Sequence, residues 1–135
     1  MNTDENRSEL TGTVIREFYG VYNELGCGFL ESVYAAAFAM ALRSVGLRVE
    51  REVEIPVSFR GAVIGKFFAD MVIDGVLLVE LKALNGLTPT HQAQVMNYLR
   101  ATNIELALLL NFGPRPEMKR LIYTNDRKKN LCSSV

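Results

Sequence analysis

Two runs of the chain are apolar almost without a break, Val76 to Leu84 and Ile104 to Phe112. Turn formers bound them: Asp74-Gly75 before the first, Asn85-Gly86 after it, and Gly113-Pro114 after the second. Runs this short and this apolar read as strands buried on both faces. Between them Thr88-Pro89 marks a helix start, with threonine as cap and proline in the first turn, and the helix runs to about Thr102. A strand, a helix and a second strand leave little choice. The second strand should lie parallel to the first, reached by a right-handed crossover.

The remaining elements attach to that unit. Leu10, Val14, Phe18, Val21 and Leu25 follow helical spacing, and Gly26 stops the helix. A second helix runs from about Leu30 to Ser44 and ends at Gly46. Its middle, Ala35 to Leu42, is apolar nearly all round, so it should be heavily buried. From Val49 the period becomes two: Val49, Val53, Ile55, Val57 and Phe59 alternate with Glu50, Glu52 and Glu54. That pattern marks a strand with one wetter face. Arg60-Gly61 turns the chain into a strand over residues 62–73, and Asp74-Gly75 signals a hairpin into the next. Leu121-Ile122-Tyr123 adds a short edge strand. The expected fold is α/β, a mixed sheet with helices on both faces. Residues 1–9 form a flexible lead, 10–124 a single domain and 125–135 a basic tail.

Composition excludes more than it selects. Fifteen basic and fifteen acidic residues give zero formal charge, which does not advertise a nucleic-acid binder. Lys119, Arg120, Arg127, Lys128 and Lys129 do crowd the end of the chain. Cys27 and Cys132 stand far apart and fit no metal spacing, as expected of free thiols in a reducing compartment. No apolar run reaches membrane-spanning length. The polar, acidic N-terminus is neither a secretory nor an organelle-targeting peptide, which places the expected location in the cytoplasm. His91 is the only histidine and has no cysteine or histidine near it, so it does not point to zinc. No Ser/His/Asp set, phosphate loop or dinucleotide fingerprint is present.

The charges inside the apolar strands carry the chemistry. Asp70 interrupts Phe67 to Ile73, and Glu80 and Lys82 interrupt the next strand. Burying such groups is costly unless they are paired or hold a metal. Residues two apart on a strand share a face, so Glu80 and Lys82 project together. A plain ion pair between them is the ordinary reading. A second acid on the neighbouring strand changes the balance, because two close carboxylates repel unless a cation sits between them. Hard oxygen ligands suit Mg²⁺, with Mn²⁺ as a substitute. Lys82 could then orient a water or hold a scissile phosphate. Acid, then acid-x-lysine, is minimal equipment for metal-dependent phosphodiester cleavage. Glu31 opens the second helix, where an acid ordinarily serves the helix dipole. Gln94 and Tyr98, four apart, stack on one helix face.

The hairpin decides whether Asp70 and Glu80 meet. A two-residue Asp74-Gly75 loop would set Asp70 opposite Val79 and turn Glu80 to the other face. A three-residue loop, Ile73-Asp74-Gly75, sets Asp70 opposite Leu78 and returns Glu80 to the face of Asp70, with Gly75 supplying left-handed backbone.

Gly28-Phe29-Leu30-Glu31-Ser32-Val33-Tyr34 is similar to the signature of the GxxExxY proteins, small bacterial and archaeal proteins classed with the PD-(D/E)XK nuclease superfamily. The resemblance spans roughly Leu10 to Tyr123. It includes Val79-Glu80-Leu81-Lys82-Ala83, Gln94-x-x-Asn97-Tyr98-Leu99 and Leu108 to Gly113. It implies a restriction-endonuclease-like three-layer α/β/α core of αβββαβ topology, with the mixed sheet in chain order and an extra N-terminal helix. It implies Asp70 and Glu80 as metal-binding acids, Lys82 as the catalytic lysine and Glu31 as a further metal acid or its support. Gln94 and Tyr98 resemble a pair that supports the site or the nucleic-acid end. The chain departs from the pattern at Phe68-Ala69, where relatives often carry a basic or polar residue, and at Tyr22, where many have histidine.

Three functions follow from these residues. The first is a Mg²⁺-dependent nuclease acting on DNA or RNA, with Lys119 and Arg120 among the candidate substrate contacts. The second is a non-catalytic nucleic-acid- or protein-binding module that keeps the fold. The third is a phosphodiesterase of nucleotide-sized substrates, which needs no large basic surface. A site this small, without added recognition elements, would draw specificity from a homodimer or another partner.

Overall fold

A computed structural model of the chain describes residues 3–128, with side chains from residue 5 onward. The elements in chain order are α1 (Thr3–Leu25), α2 (Glu31–Ser44), β1 (Val49–Phe59), β2 (Ala62–Ile73), β3 (Leu77–Lys82), α3 (Pro89–Arg100), β4 (Leu106–Phe112) and β5 (Pro116–Ile122). The five strands form one sheet in the order β1-β2-β3-β4-β5. All neighbours are antiparallel except β3 and β4, which run parallel across the α3 crossover.

Each face of the sheet has its own core. On one, Val14, Phe18 and Val21 of α1 and Tyr34, Phe38 and Leu42 of α2 pack on Met71, Ile73, Val79, Leu81, Leu108, Leu110 and Phe112. On the other, Val95, Tyr98 and Leu99 of α3 pack on Leu78, Ala107 and Leu109. The two apolar runs are therefore two-faced strands, and their unbroken hydrophobicity has its cause in this three-layer arrangement. Phe112 anchors the first core: it stacks on Tyr34 at 4.4 Å and meets Phe18 edge-on at 4.9 Å.

Some boundaries differ from the sequence reading. The first helix begins at Thr3, inside the stretch expected as a lead. Arg7 ties this early turn to Glu105 at 2.8 Å. The last strand lies at the edge of the sheet as expected but is longer, pairing with β4 from Phe112–Pro116 to Leu106–Ile122. Of the basic tail, Lys128 hydrogen-bonds the carbonyls of Thr102 and Ile104, and Arg127 lies over the Tyr123 ring. Lys129 and Cys132 lie outside the described residues. Among the described residues no helix is long and apolar enough to cross a membrane.

The hairpin between β2 and β3 pairs Ile73 with Leu77, Val72 with Leu78 and Met71 with Val79. The loop is thus Asp74-Gly75-Val76, one residue later than expected. It keeps the same parity, so Asp70 comes directly across from Glu80. Asp74 and Gly75 both have positive φ, 52° and 71°. Val76 N–H closes the turn on the Ile73 carbonyl at 3.1 Å.

Candidate active site

The β2–β3 ladder ends at Met71 and Val79, and the two acids take over where main-chain pairing stops. Asp70 N–H donates to Glu80 Oε1 at 2.8 Å, and Leu81 N–H donates to Asp70 Oδ2 at 2.7 Å. Each carboxylate thus satisfies a backbone donor of the opposite strand, which allows the strands to part without orphaning those groups. Glu80 is 3% exposed, and Asp70 is half-buried. Burial and the nearby Asp70 charge push the Glu80 carboxyl up to about 8. Burial raises Asp70 as well, against the opposing pull of the Leu81 N–H and the Lys82 charge. Two carboxylates this close, one of them buried, retain a proton or attract a cation.

Lys82, at the end of β3, and Glu31, at the start of α2, bear on the same pair. Glu31 is exposed, yet the protein beside its carboxyl displaces enough water to raise its proton affinity, the Asp70 charge adds to this, and Lys82 opposes it. Glu31 is presented by a loop that Tyr34 organises. The Tyr34 hydroxyl donates to the Gly26 carbonyl at 2.5 Å and accepts the Phe29 N–H at 3.2 Å. Gly28, with φ 110°, lets the loop bend there. The glycine, glutamate and tyrosine of this stretch therefore act together: one bends the loop, one is displayed and one fixes it.

Glu80 lies on the face that α3 covers, in register with Leu109, and α3 brings Tyr98 there, which is buried and rests against Phe67 at 4.9 Å. Burial raises its phenol, the Glu80 and Asp70 charges add to this, and a hydrogen bond with Gln94 works the other way. His91 serves the helix itself, since its Nδ1 accepts the Thr88 N–H at 2.9 Å and caps α3.

Lys119 and Arg120 stand apart from this group. Lys119 pairs with Leu109, which pairs with Glu80, so Lys119 shares that face two strands away. Arg120 follows Leu108 and Val79 onto the opposite face.

A brace behind the site escaped the sequence reading. Asn111, fully buried and in register with Lys82, grips both main-chain groups of Leu84 at 2.9 and 3.0 Å. Its amide also donates to Glu117 Oε1 at 3.0 Å, which accepts the Leu87 N–H at 3.2 Å. A Cβ on Gly113 would collide with the Leu84 carbonyl. The Tyr22 hydroxyl reaches the Gly113 and Pro114 carbonyls at 2.9 Å each. An asparagine inside an apolar run was the available signal, because a buried amide demands partners.

Among the described residues no group of three or more histidine, cysteine, aspartate or glutamate side chains is gathered to hold a metal ion. Asp70 and Glu80 alone match what Mg²⁺ asks of a protein, one or two carboxylates with water completing the shell. Glu31 acts on them through its charge.

A three-layer α/β fold with paired strand acids and a following lysine defines a nuclease-like class of protein. The chain belongs to the PD-(D/E)XK nuclease superfamily, matched over residues 8–121. No curated protein matches it. It is similar in fold to the crystal structure of SSO0001, at 22% identity with a TM-score of 0.55. That likeness covers 96% of this chain and 66% of SSO0001, just under two thirds of the latter.

Proposed function

We propose that the protein is a Mg²⁺-dependent nuclease of the GxxExxY branch, with Mn²⁺ able to substitute, hydrolysing phosphodiester bonds in DNA or RNA. The observation that carries this is the facing pair of Glu80, buried, and Asp70, half-buried, each held by a backbone N–H of the opposite strand and followed by Lys82. In this reading Asp70 and Glu80 hold the cation and Glu31 supports them from α2. When bound, the ion would neutralise charge developing on the phosphate. Lys82 orients the attacking water or the scissile phosphate. Tyr98 and Gln94 brace the acids from α3, and Lys119, on the face of Glu80, contacts the strand farther out, whereas Arg120, on the opposite face, does not. The same reading has the protein act in the cytoplasm.

One observation favours a second reading, a non-catalytic module. Both carboxylates already have structural work, each accepting a backbone N–H. The experiment that separates the two is cleavage of labelled single- and double-stranded DNA and RNA with Mg²⁺, Mn²⁺ or chelator, beside Mn²⁺ calorimetry. Metal-dependent cleavage lost in Glu80→Ala supports the nuclease. Equal cleavage by wild type and Glu80→Ala in chelator marks a contaminant, and no metal binding selects the module.

A further inference from the structure

Asp70 leaves its ladders on both sides, and the residue across from it on β1 has a backbone conformation that glutamate seldom adopts. Glu52 lies mid-strand with φ 53°. Pairing runs through Arg51–Met71 and resumes at Val53–Ala69, passing over Glu52 and Asp70. At this step both strands change faces. Val49, Met71 and Ile73 lie in the core under α1 and α2, whereas Ile55, Phe67 and Ala69 lie in the core under α3. A regular strand cannot do this, because alternate residues keep to one face.

We propose that Glu52 is a positioning residue for the carboxylate pair: its left-handed backbone, rather than its charge, releases Asp70 from β1. The proposal rests on Asp70 and Glu80 being the metal-holding acids, yet the device itself is conformational. With Glu52 extended, Ala69 and Met71 would share a face and the Asp70 N–H would return to main-chain pairing. Released, that N–H donates to Glu80 and the Asp70 carboxylate takes the Leu81 N–H. Left-handed backbone on a residue with a side chain is strain, and strain of this kind gathers at working sites.

The test compares Glu52→Gly, Glu52→Gln and Glu52→Ile in the full chain. Glycine adopts the left-handed region freely, glutamine removes only the charge, and isoleucine resists the conformation. Two quantities are read: Mn²⁺ affinity by calorimetry, and hydrogen exchange of the Asp70 and Leu81 amides in chelator. Glycine and glutamine should keep Mn²⁺ affinity within about threefold of wild type and leave both amides protected. Isoleucine should weaken Mn²⁺ roughly tenfold, the scale of left-handed strain, and speed exchange at both amides. If the isoleucine variant does not fold, Glu52→Ala takes its place, with an intermediate loss expected. Wild-type exchange in the isoleucine or alanine variant overturns the proposal. So does a loss in the glycine or glutamine variant as large as that in isoleucine, which would assign the role to the carboxylate. Should wild type bind no Mn²⁺, the metal reading fails, and amide exchange still decides whether the Glu52 backbone holds the pair.

Discussion

Glu80→Gln keeps the shape of the side chain and its acceptor for the Asp70 N–H while removing its titration. In the wild type the Glu80 carboxyl is raised from 4.5 to about 8 by burial and by Asp70. A folded-state carboxyl above its unfolded value binds a proton that the unfolded chain has released. The resulting stabilisation is complete below the unfolded value and is lost as pH rises from about 4.5 through about 8. One such proton gives a slope of about 1.4 kcal/mol per pH unit, so the metal-free protein should lose on the order of 3 kcal/mol between pH 5.5 and 7.5. For a domain of this size that is about 10 °C in Tm. The assay is chemical and thermal denaturation in chelator across that range. Glu80→Gln should flatten the slope and exceed wild type in stability at pH 7.5. Saturating Mn²⁺ should restore the wild type at pH 7.5, by about 2.7 kcal/mol at a hundredfold excess over Kd. A flat or rising wild-type profile, or an unchanged slope in Glu80→Gln, would refute the reasoning.

Other outcomes test the separate parts. Lys82→Ala should lower turnover by at least about a hundredfold while Mn²⁺ affinity by calorimetry stays close to wild type. Gly113→Ala should cost about 3 kcal/mol in denaturant unfolding, because the new Cβ meets the Leu84 carbonyl and comes within 2.9 Å of Asn111 Nδ2. Lys119→Ala should weaken nucleic-acid binding and lower the salt slope by roughly one, whereas Arg120→Ala, on the opposite face, should leave both near wild type. An unchanged slope in Lys119→Ala removes it from the interface.

Much of the layered fold was legible because the residues that build it each serve a single purpose. Val76 to Leu84 and Ile104 to Phe112 are apolar on both sides, and only a sheet covered on both faces uses such strands. The parity of the hairpin was legible through Gly75, but its placement was not, since Val76 is as good a strand residue as any beside it. The exchange of faces at Glu52 and Asp70 was hidden for a different reason. Alternation is read by counting, and Val49, Val53 and Ile55 count as one face although the strand turns over between them. Left-handed backbone is normally advertised by glycine or asparagine, and a glutamate gives no such notice. Asn111 escaped because its partners are main-chain groups of Leu84, which carry no side-chain identity.

The order of the sheet has a consequence for how the chain folds. Every strand lies beside its neighbour in sequence, so the sheet can assemble by successive short closures, the longest spanning α3. The first helix is the exception. Its Tyr22 hydroxyl finds the Gly113 carbonyl across 91 residues, and Arg7 finds Glu105 across 98. Contacts this distant are made late, because the entropy of closing the loop must be met before they return anything. The strands that carry Asp70 and Glu80 should therefore pair before α1 docks, and α1 becomes the latch of the folding reaction. Truncating Phe18 should then speed unfolding far more than it slows folding, whereas truncating Leu78 should slow folding.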